Sequence, residues 1–423
     1  MRVGIRRSWL PAGFLACALA LLASLPVLAQ TSFIISHTAS DFTDRGKPLA
    51  VRAVIQPKSR LNYAIVYYRR AGNTSFQSAF MAEKGADTYE VEIPSDQVTQ
   101  HGIEYYISAI DKQGNEQVLH ASPGQPQFVS TKIVAVFLSR RGEKYDEVLT
   151  GIKSVLKGRV DVRDMNDSED QGRVILKELR ASPDKPDLIV AVGKGAAVLC
   201  KDQVSDIPVV FTMVTNPYKL DLKRNNMTGV SLDVPVKAQL ITFKSVVPNI
   251  KRVGVIYDPE KTGDLIGQAQ FIAPSQGFQL ISAKVAGAED VERALRAFAD
   301  GIDAFWLVPD ATVVTPLSVK VILEYTLKNR IPLFVFEKTF VDAGALVSLS
   351  PDLMDIGRRT ADMANRILKG SDPSTFTIIN PEQLKVALNS ETARAIGVDK
   401  TIAQQIILYA AEKHFSIETV GRR

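Results

Sequence analysis

The chain has 423 residues, 46% of them apolar and 23% charged, which is enough apolar material to bury more than one core. That balance excludes an intrinsically disordered chain and a multi-spanning membrane protein. The formal charge is only +5, and no Lys/Arg-rich run is interleaved with aromatics, so nucleic acid is not an expected partner.

At the N-terminus, Arg2, Arg6 and Arg7 precede an apolar run from Phe14 to Leu25, and Val27-Leu28-Ala29 supplies small residues at cleavage spacing. A basic region, a short apolar stretch and an A-x-A-like end read as a secretory signal peptide over residues 1–29, hence an exported, periplasmic protein. Pro11, Pro26 and the shortness of the run weigh against a retained anchor helix. Phe14-Leu15-Ala16-Cys17 only partly resembles a lipoprotein box, because Phe stands at a position usually aliphatic. Cleavage after Ala29 removes three arginines and no acids, so the formal charge falls from +5 to about +2. It also leaves Cys200 as the single cysteine, in a helical apolar run where it reads as a buried small hydrophobe rather than a reactive thiol.

Residues 30–128 follow a period of two. Leu49–Ile55, Tyr63–Arg69, Ser75–Met81, Tyr89–Ile93 and Glu104–Ile110 are rich in β-branched or aromatic residues and are separated by turn signals such as Arg70-Ala71-Gly72-Asn73 and Asp111-Lys112-Gln113-Gly114-Asn115. They predict an all-β sandwich, and their order resembles bacterial immunoglobulin-like or fibronectin-like modules. Ala121–Gln127, with Pro123, Gly124 and Pro126, reads as a linker.

Beyond it the period changes. Lys132-Ile133-Val134-Ala135-Val136-Phe137-Leu138 is a continuous apolar run, as in a parallel strand covered on both faces. Helical stretches then alternate with Val160–Arg163, Asp187–Val192 and Ile207–Phe211. The series repeats from Arg252–Tyr257 through Gln279–Val285, Ala304–Val308 and Pro332–Phe336. Two Rossmann-like units in tandem predict two lobes, with the ligand site in the cleft between them.

Ile207-Pro208-Val209-Val210-Phe211, Val214-Thr215-Asn216-Pro217, Asn226-Met227-Thr228-Gly229-Val230-Ser231 and Lys251–Pro259, followed by Ile331–Val335 and Gly344–Leu349, resemble the substrate-binding proteins of ABC transporters with the type I periplasmic-binding fold. The likeness spans residues 131–400. It implies a solute-binding component that hands a small molecule to a membrane permease, with three crossings between lobes at Ser231–Pro235, Phe340–Leu346 and Ile378–Gln383. The first lobe is then expected over 131–233 and 346–377, the second over 234–340 and 380–400. Residues 401–423 are left as an extension, with a helix at Ile402–Tyr409 and a frayed tail from Ser416.

Ligands of open α/β sheets sit at the carboxyl ends of the strands. That rule selects Ser139, Arg140, Gly193, Lys194, Gly195, Thr215 and Asn216 in the first lobe, and Asp258, Thr262, Asp310 and Glu337 in the second. Gly193-Lys194-Gly195 before a helix is a backbone nest able to hold a carboxylate. The resembling family usually carries a hydroxyl residue where this chain has Lys194, which suits a more anionic ligand or a solvated lysine equally. Asp258, Asp310 and Glu337 are each an acceptor for an amino group or, alternatively, a turn, cap or solvated charge. Trp306 and Phe336 read as core residues.

His37, His101, His120 and His414 are scattered, and no His-x-x-x-His, Cys-x-x-Cys or Gly-x-Ser-x-Gly occurs. No catalytic residue, metal or cofactor is therefore expected. The expected function is non-enzymatic capture of a small amino-acid-like anion or zwitterion by hinge closure for an ABC permease. The alternative is a ligand sensor or envelope interaction protein that reports to a membrane partner through the sandwich.

Overall fold

The alternation between residues 34 and 129 becomes two antiparallel sheets around one core. One sheet orders Ile34–His37, Leu49–Gln56, Thr88–Ile93 and Ala82–Gly85; the other orders Gln77–Phe80, Leu61–Arg70, Ile103–Asp111 and Glu116–His120, with Gln127–Val129 also on Ile103–Asp111. Along Leu49–Gln56, Leu49, Val51, Ala53 and Ile55 are buried while Ala50 and Arg52 are exposed. They share a single apolar cluster with Ala64, Val66, Tyr105 and Ile107 of the facing sheet. These coordinates come from a computed structural model that describes residues 32–421 apart from 183, 299–300 and 399. The expected signal peptide, Cys17 and cleavage point at Ala29 lie outside the described residues.

Two local expectations change. The strand expected at Ser75–Met81 is shorter, Gln77–Phe80; Met81 then buries its side chain in the core, and a separate strand, Ala82–Gly85, joins the other sheet. The expected linker at Ala121–Gln127 is a turn closed by Ser122 and Gln125, followed directly by the strand Gln127–Val129. The join to the next part is tied down, because the Thr131 hydroxyl donates to the Thr99 carbonyl at 2.6 Å. Arg45 bonds both the Asp187 carboxylate and the Thr131 carbonyl, and Arg159 approaches Asp44 at 3.4 Å.

Ile133–Leu138 is buried at every position and lies second in a five-stranded parallel sheet, ordered Arg159–Asp164, Ile133–Leu138, Leu188–Val192, Val209–Val214 and Met227–Ser231. The helices Glu143–Val155, Glu169–Ala181 and Lys194–Gln203 connect these strands, as parallel neighbours require. A seven-stranded sheet follows: Gln279–Lys284, Arg252–Tyr257, Ala304–Trp306, Leu333–Val335, Val347–Pro351, Leu384–Asn389 and Ser416–Val420. Its neighbours are parallel except for Leu384–Asn389, which runs antiparallel to Val347–Pro351.

Two boundaries therefore move. Val347–Pro351 pairs with Leu333–Val335 in the second sheet, so the chain stays in the second lobe until Pro351–Asp352 instead of returning near residue 346. The expected frayed tail is a strand, Ser416–Val420. The helix Lys400–Glu412 before it buries Ile406 and Ala410 in the second lobe's core, so that lobe extends to the end of the described chain.

The helix Leu353–Leu368 returns to the first lobe and lies along Glu143–Val155. A Cβ on Gly151 would sit 2.3 Å from the Met354 carbonyl oxygen, and one on Gly357 would sit 2.2 Å from that of Val148. Only glycine at both places lets the two backbones approach this closely. Gly357→Val should destabilise the protein by about 3 kcal/mol through overpacking against backbone that cannot turn aside. Gly267→Ala, at an exposed position of the helix Pro259–Ile272 with nothing within 4 Å, should be neutral or stabilising. Urea unfolding of both variants checks the contrast.

Candidate functional site

The carboxyl ends of the two parallel sheets face each other, and ion pairs span the gap. Lys144 reaches Glu337 at 2.8 Å, Lys219 reaches Asp264 at 2.6 Å and Lys385 reaches Glu147 at 2.5 Å, each joining one lobe to the other. All six side chains are partly exposed, so each pair contributes about 1 kcal/mol or less. Behind the cleft the connections lie side by side: the Ser231 N–H donates to the Ile379 carbonyl at 2.8 Å and the Asp352 N–H to that of Gln383 at 3.0 Å. Asp233, in one connection, accepts from the Ser231 hydroxyl and the Asn216 N–H, both at 2.8 Å. Burial raises its carboxyl above the usual range, against these two donors.

On the first lobe, Gly193 has φ 95° and caps the helix Lys194–Gln203 without any side-chain bond. A Cβ there would lie 2.6 Å from the Ser139 hydroxyl and 2.7 Å from the Tyr145 hydroxyl, so glycine is required twice over. The buried Ser139 hydroxyl accepts from the Ala196 N–H at 2.9 Å, and the Ala197 N–H donates to Gly193 at 3.0 Å. Ahead of them stand the amides of Lys194 and Gly195, which first-turn geometry leaves without intrahelical acceptors. The Lys194 side chain is exposed and has no ion pair among the described residues. Arg140 is exposed too, 3.7 Å from the Asp167 carboxylate and with its guanidinium 5.6 Å from the centre of the Tyr145 ring. Thr215 and Asn216 are exposed, and Asn216 is held in the left-handed region at φ 49° by its bond to Asp233.

The second lobe departs from expectation. Asp310 is fully buried and is surrounded by donors of its own lobe: the Thr262 hydroxyl at 2.5 Å and the N–H groups of Asp258, Thr312 and Val313 at 2.9, 2.9 and 3.2 Å. Its carboxylate is spent on holding the rim and offers nothing to a ligand's amino group. Thir role is shared by Thr262, whose hydroxyl is committed to it. Asp258 caps the helix Pro259–Ile272 and is nearly buried. The Thr312 hydroxyl and the Glu260 N–H hold its carboxyl below the usual range. Glu337 remains accessible, on the cleft side, paired with Lys144. Trp306 packs against Phe243 at 5.6 Å inside the core, and Phe336 is half-buried against Phe340 at 5.1 Å.

Sequence reasoning missed Tyr145, Lys144, Lys219 and Asp264. Nothing local marks them, since their partners are brought near only by the fold. Among the described residues, no group of three or more His, Cys, Asp or Glu is placed to hold a metal ion, and no helix is long and apolar enough to cross a membrane.

A family model for ABC transporter substrate binding proteins matches residues 133–414, leaving the N-terminal β region outside it. The tyrosine-binding protein of Clostridioides difficile (strain R20291) is 23% identical over 231 residues, 53% of this chain and 66% of that protein, just under two thirds of its length. A substrate-binding protein with adhesive properties from Clostridium difficile, in its ligand-free, open form, superposes with a TM-score of 0.58 at 21% identity, covering 69% of this chain and 100% of that one. An ABC domain from Streptococcus pneumonia in complex with L-Trp gives 0.47 at 21% identity, covering 64% and 98%. The likeness in structure establishes the α/β periplasmic-binding fold.

Asp310→Ala should lower the stability of the unliganded protein by about 2–4 kcal/mol, because four donors lose their acceptor inside the lobe. Lys194→Ala, at an exposed position, should leave it unchanged within about 0.5 kcal/mol. Urea unfolding of the ligand-free proteins tests both, and equal stability of all three would remove Asp310 from its structural role.

Proposed function

Because the chain belongs to the ABC transporter substrate-binding protein family, we propose that it captures a small amino acid between its two lobes outside the cytoplasm and delivers it to a membrane permease. The family and its structural neighbours are solute-binding proteins, so the chemistry asked of the cleft is recognition without turnover.

One observation carries this reading. The glycine-led helix start at Gly193–Gly195, with a lysine that has no ion pair among the described residues, lies at the first lobe's strand ends, and the Lys144–Glu337 and Lys219–Asp264 pairs bring partly exposed carboxylates of the second lobe to the first. A zwitterion has one group for each side. Its carboxylate fits the Lys194 and Gly195 amides and the positive end of the helix. Its ammonium fits Glu337 or Asp264, taking the place that Lys144 or Lys219 holds. Exposed ion pairs of this kind give up little when exchanged for a ligand charge. Each lobe alone supplies half the partners, so affinity depends on closure. The exposed Thr215 and Asn216 complete the first-lobe surface, and the buried Ser139 holds the Ala196 N–H behind it. A relative named as tyrosine-binding makes L-tyrosine the first ligand to try.

A second reading has its own support. The N-terminal β region, expected as an immunoglobulin-like sandwich, is anchored to the first lobe through Arg45–Asp187 and Asp44–Arg159. Capture needs no such attachment, whereas a sensor or envelope contact does. Loss of amino-acid uptake on deletion favours transport; intact uptake with a lost ligand response favours sensing.

Calorimetric titration with L-tyrosine, then with the other amino acids, tests the proposal. Lys194→Ala should weaken the binding by about 1–3 kcal/mol, the worth of a charge-assisted contact. An absence of binding for every amino acid would reject the ligand class, and unaltered binding by the variant would move the site away from Gly193–Gly195.

A further inference from the structure

A cavity of about 410 Å³ opens where the N-terminal β region meets the first lobe, lined among others by His101, Phe128, Lys132, Lys157, Leu368 and Lys369. It lies at the opposite end of the strands from the cleft. Lys132 immediately precedes the strand Ile133–Leu138 and Ser139 immediately follows it, roughly 20 Å apart at strand spacing. The two sites are therefore separate.

The chemistry of the walls is one-sided. His101 comes from the turn before Ile103–Asp111, Lys132 from the domain join, Lys157 from the end of the helix Glu143–Val155 and Lys369 from the end of Leu353–Leu368. Among the described residues, no carboxylate lines the cavity. Lys132 shares Asp187 at 3.4 Å, while Lys157 and Lys369 are exposed and have no ion pair among the described residues. Asn365 fixes this corner, accepting from the Lys157 N–H at 2.8 Å and donating to the Val155 carbonyl at 2.9 Å. A lysine after a helix complements the helix dipole, which accounts for the sign of Lys157 and of Lys369 separately. It does not account for their convergence with His101 and Lys132 over a floor made by the Phe128 ring and Leu368.

Two lysines without an ion pair among the described residues, Lys157 and Lys369, favour an anion, and the apolar floor favours one with a hydrophobic body. We propose that this junction binds a small organic anion of that kind, a carboxylate on a flat or short apolar frame. Such a ligand touches both the β region and the first lobe, and so ties them together without involving the hinge. The inference does not depend on what the cleft between the lobes binds.

The test is ligand-observed fluorine NMR on the full mature protein, with para-fluorobenzoate as probe and para-fluorobenzamide as its neutral counterpart. The acid should bind at least about tenfold more tightly than the amide. Replacing both lysines together, Lys157→Ala with Lys369→Ala, should abolish that preference, and both sites are exposed enough for the fold to tolerate the change. Lys194→Ala should leave it intact. Equal binding of acid and amide, no binding of either, or a preference that survives the double substitution would each overturn the proposal. A preference lost with Lys194→Ala would overturn it too, by placing the probe in the cleft between the lobes.

Discussion

The two-lobed form depends on one close contact, the crossing of Glu143–Val155 by Leu353–Leu368 at Gly151 and Gly357. The strand before that second helix belongs to the second lobe and the helix belongs to the first, so the crossing draws the chain back across the gap. From there the chain must cross once more to form Leu384–Asn389. Together with the departure near Ser231–Pro235, this makes three short connections in one place. Connections of that kind permit a hinge and resist other motion.

The cleft surfaces built on this frame use two sorts of polar contact. The Asp258–Thr262–Asp310–Thr312 network is buried or nearly so, and it holds the second lobe's strand ends in a fixed shape. Ser139 and Gly193 do the same for the first lobe. The pairs that cross the gap are exposed, weak and screened by salt. A rigid rim with exchangeable charges between the lobes suits a ligand that must be gripped and then released.

Much of the fold was legible because periodicity reports burial. A fully apolar Ile133–Leu138 has few homes other than a sheet covered on both faces, and Leu49–Ile55 alternates as a half-buried strand should. What periodicity does not encode is which sheet a strand joins. Val347–Pro351 fits either lobe by pattern, and only pairing with Leu333–Val335 assigns it. Ser416–Val420 is an edge strand with little burial, so its sequence looks like a tail. The candidate site was legible where backbone geometry dictates residue type, as at Gly193. It was not legible at Asp310, because a strand-end aspartate reads the same whether it faces a ligand or its own lobe. Its partners Thr262 and Asp258 lie 48 and 52 residues away.

The central claim, that ligand is held by closure of the two lobes, is tested most directly by a distance across the cleft. Spin labels at Tyr218→Cys and Gly267→Cys would stand on opposite rims, beside Lys219 and one turn beyond Asp264, at exposed positions. Cys200 should stay unlabelled, since it is fully buried and burial raises its thiol pKa. Pulsed electron spin resonance should show a longer, broader distribution without ligand, collapsing to a shorter and narrower one when the amino acid found by calorimetry is added. Saturating binding with an unchanged distribution would contradict the account.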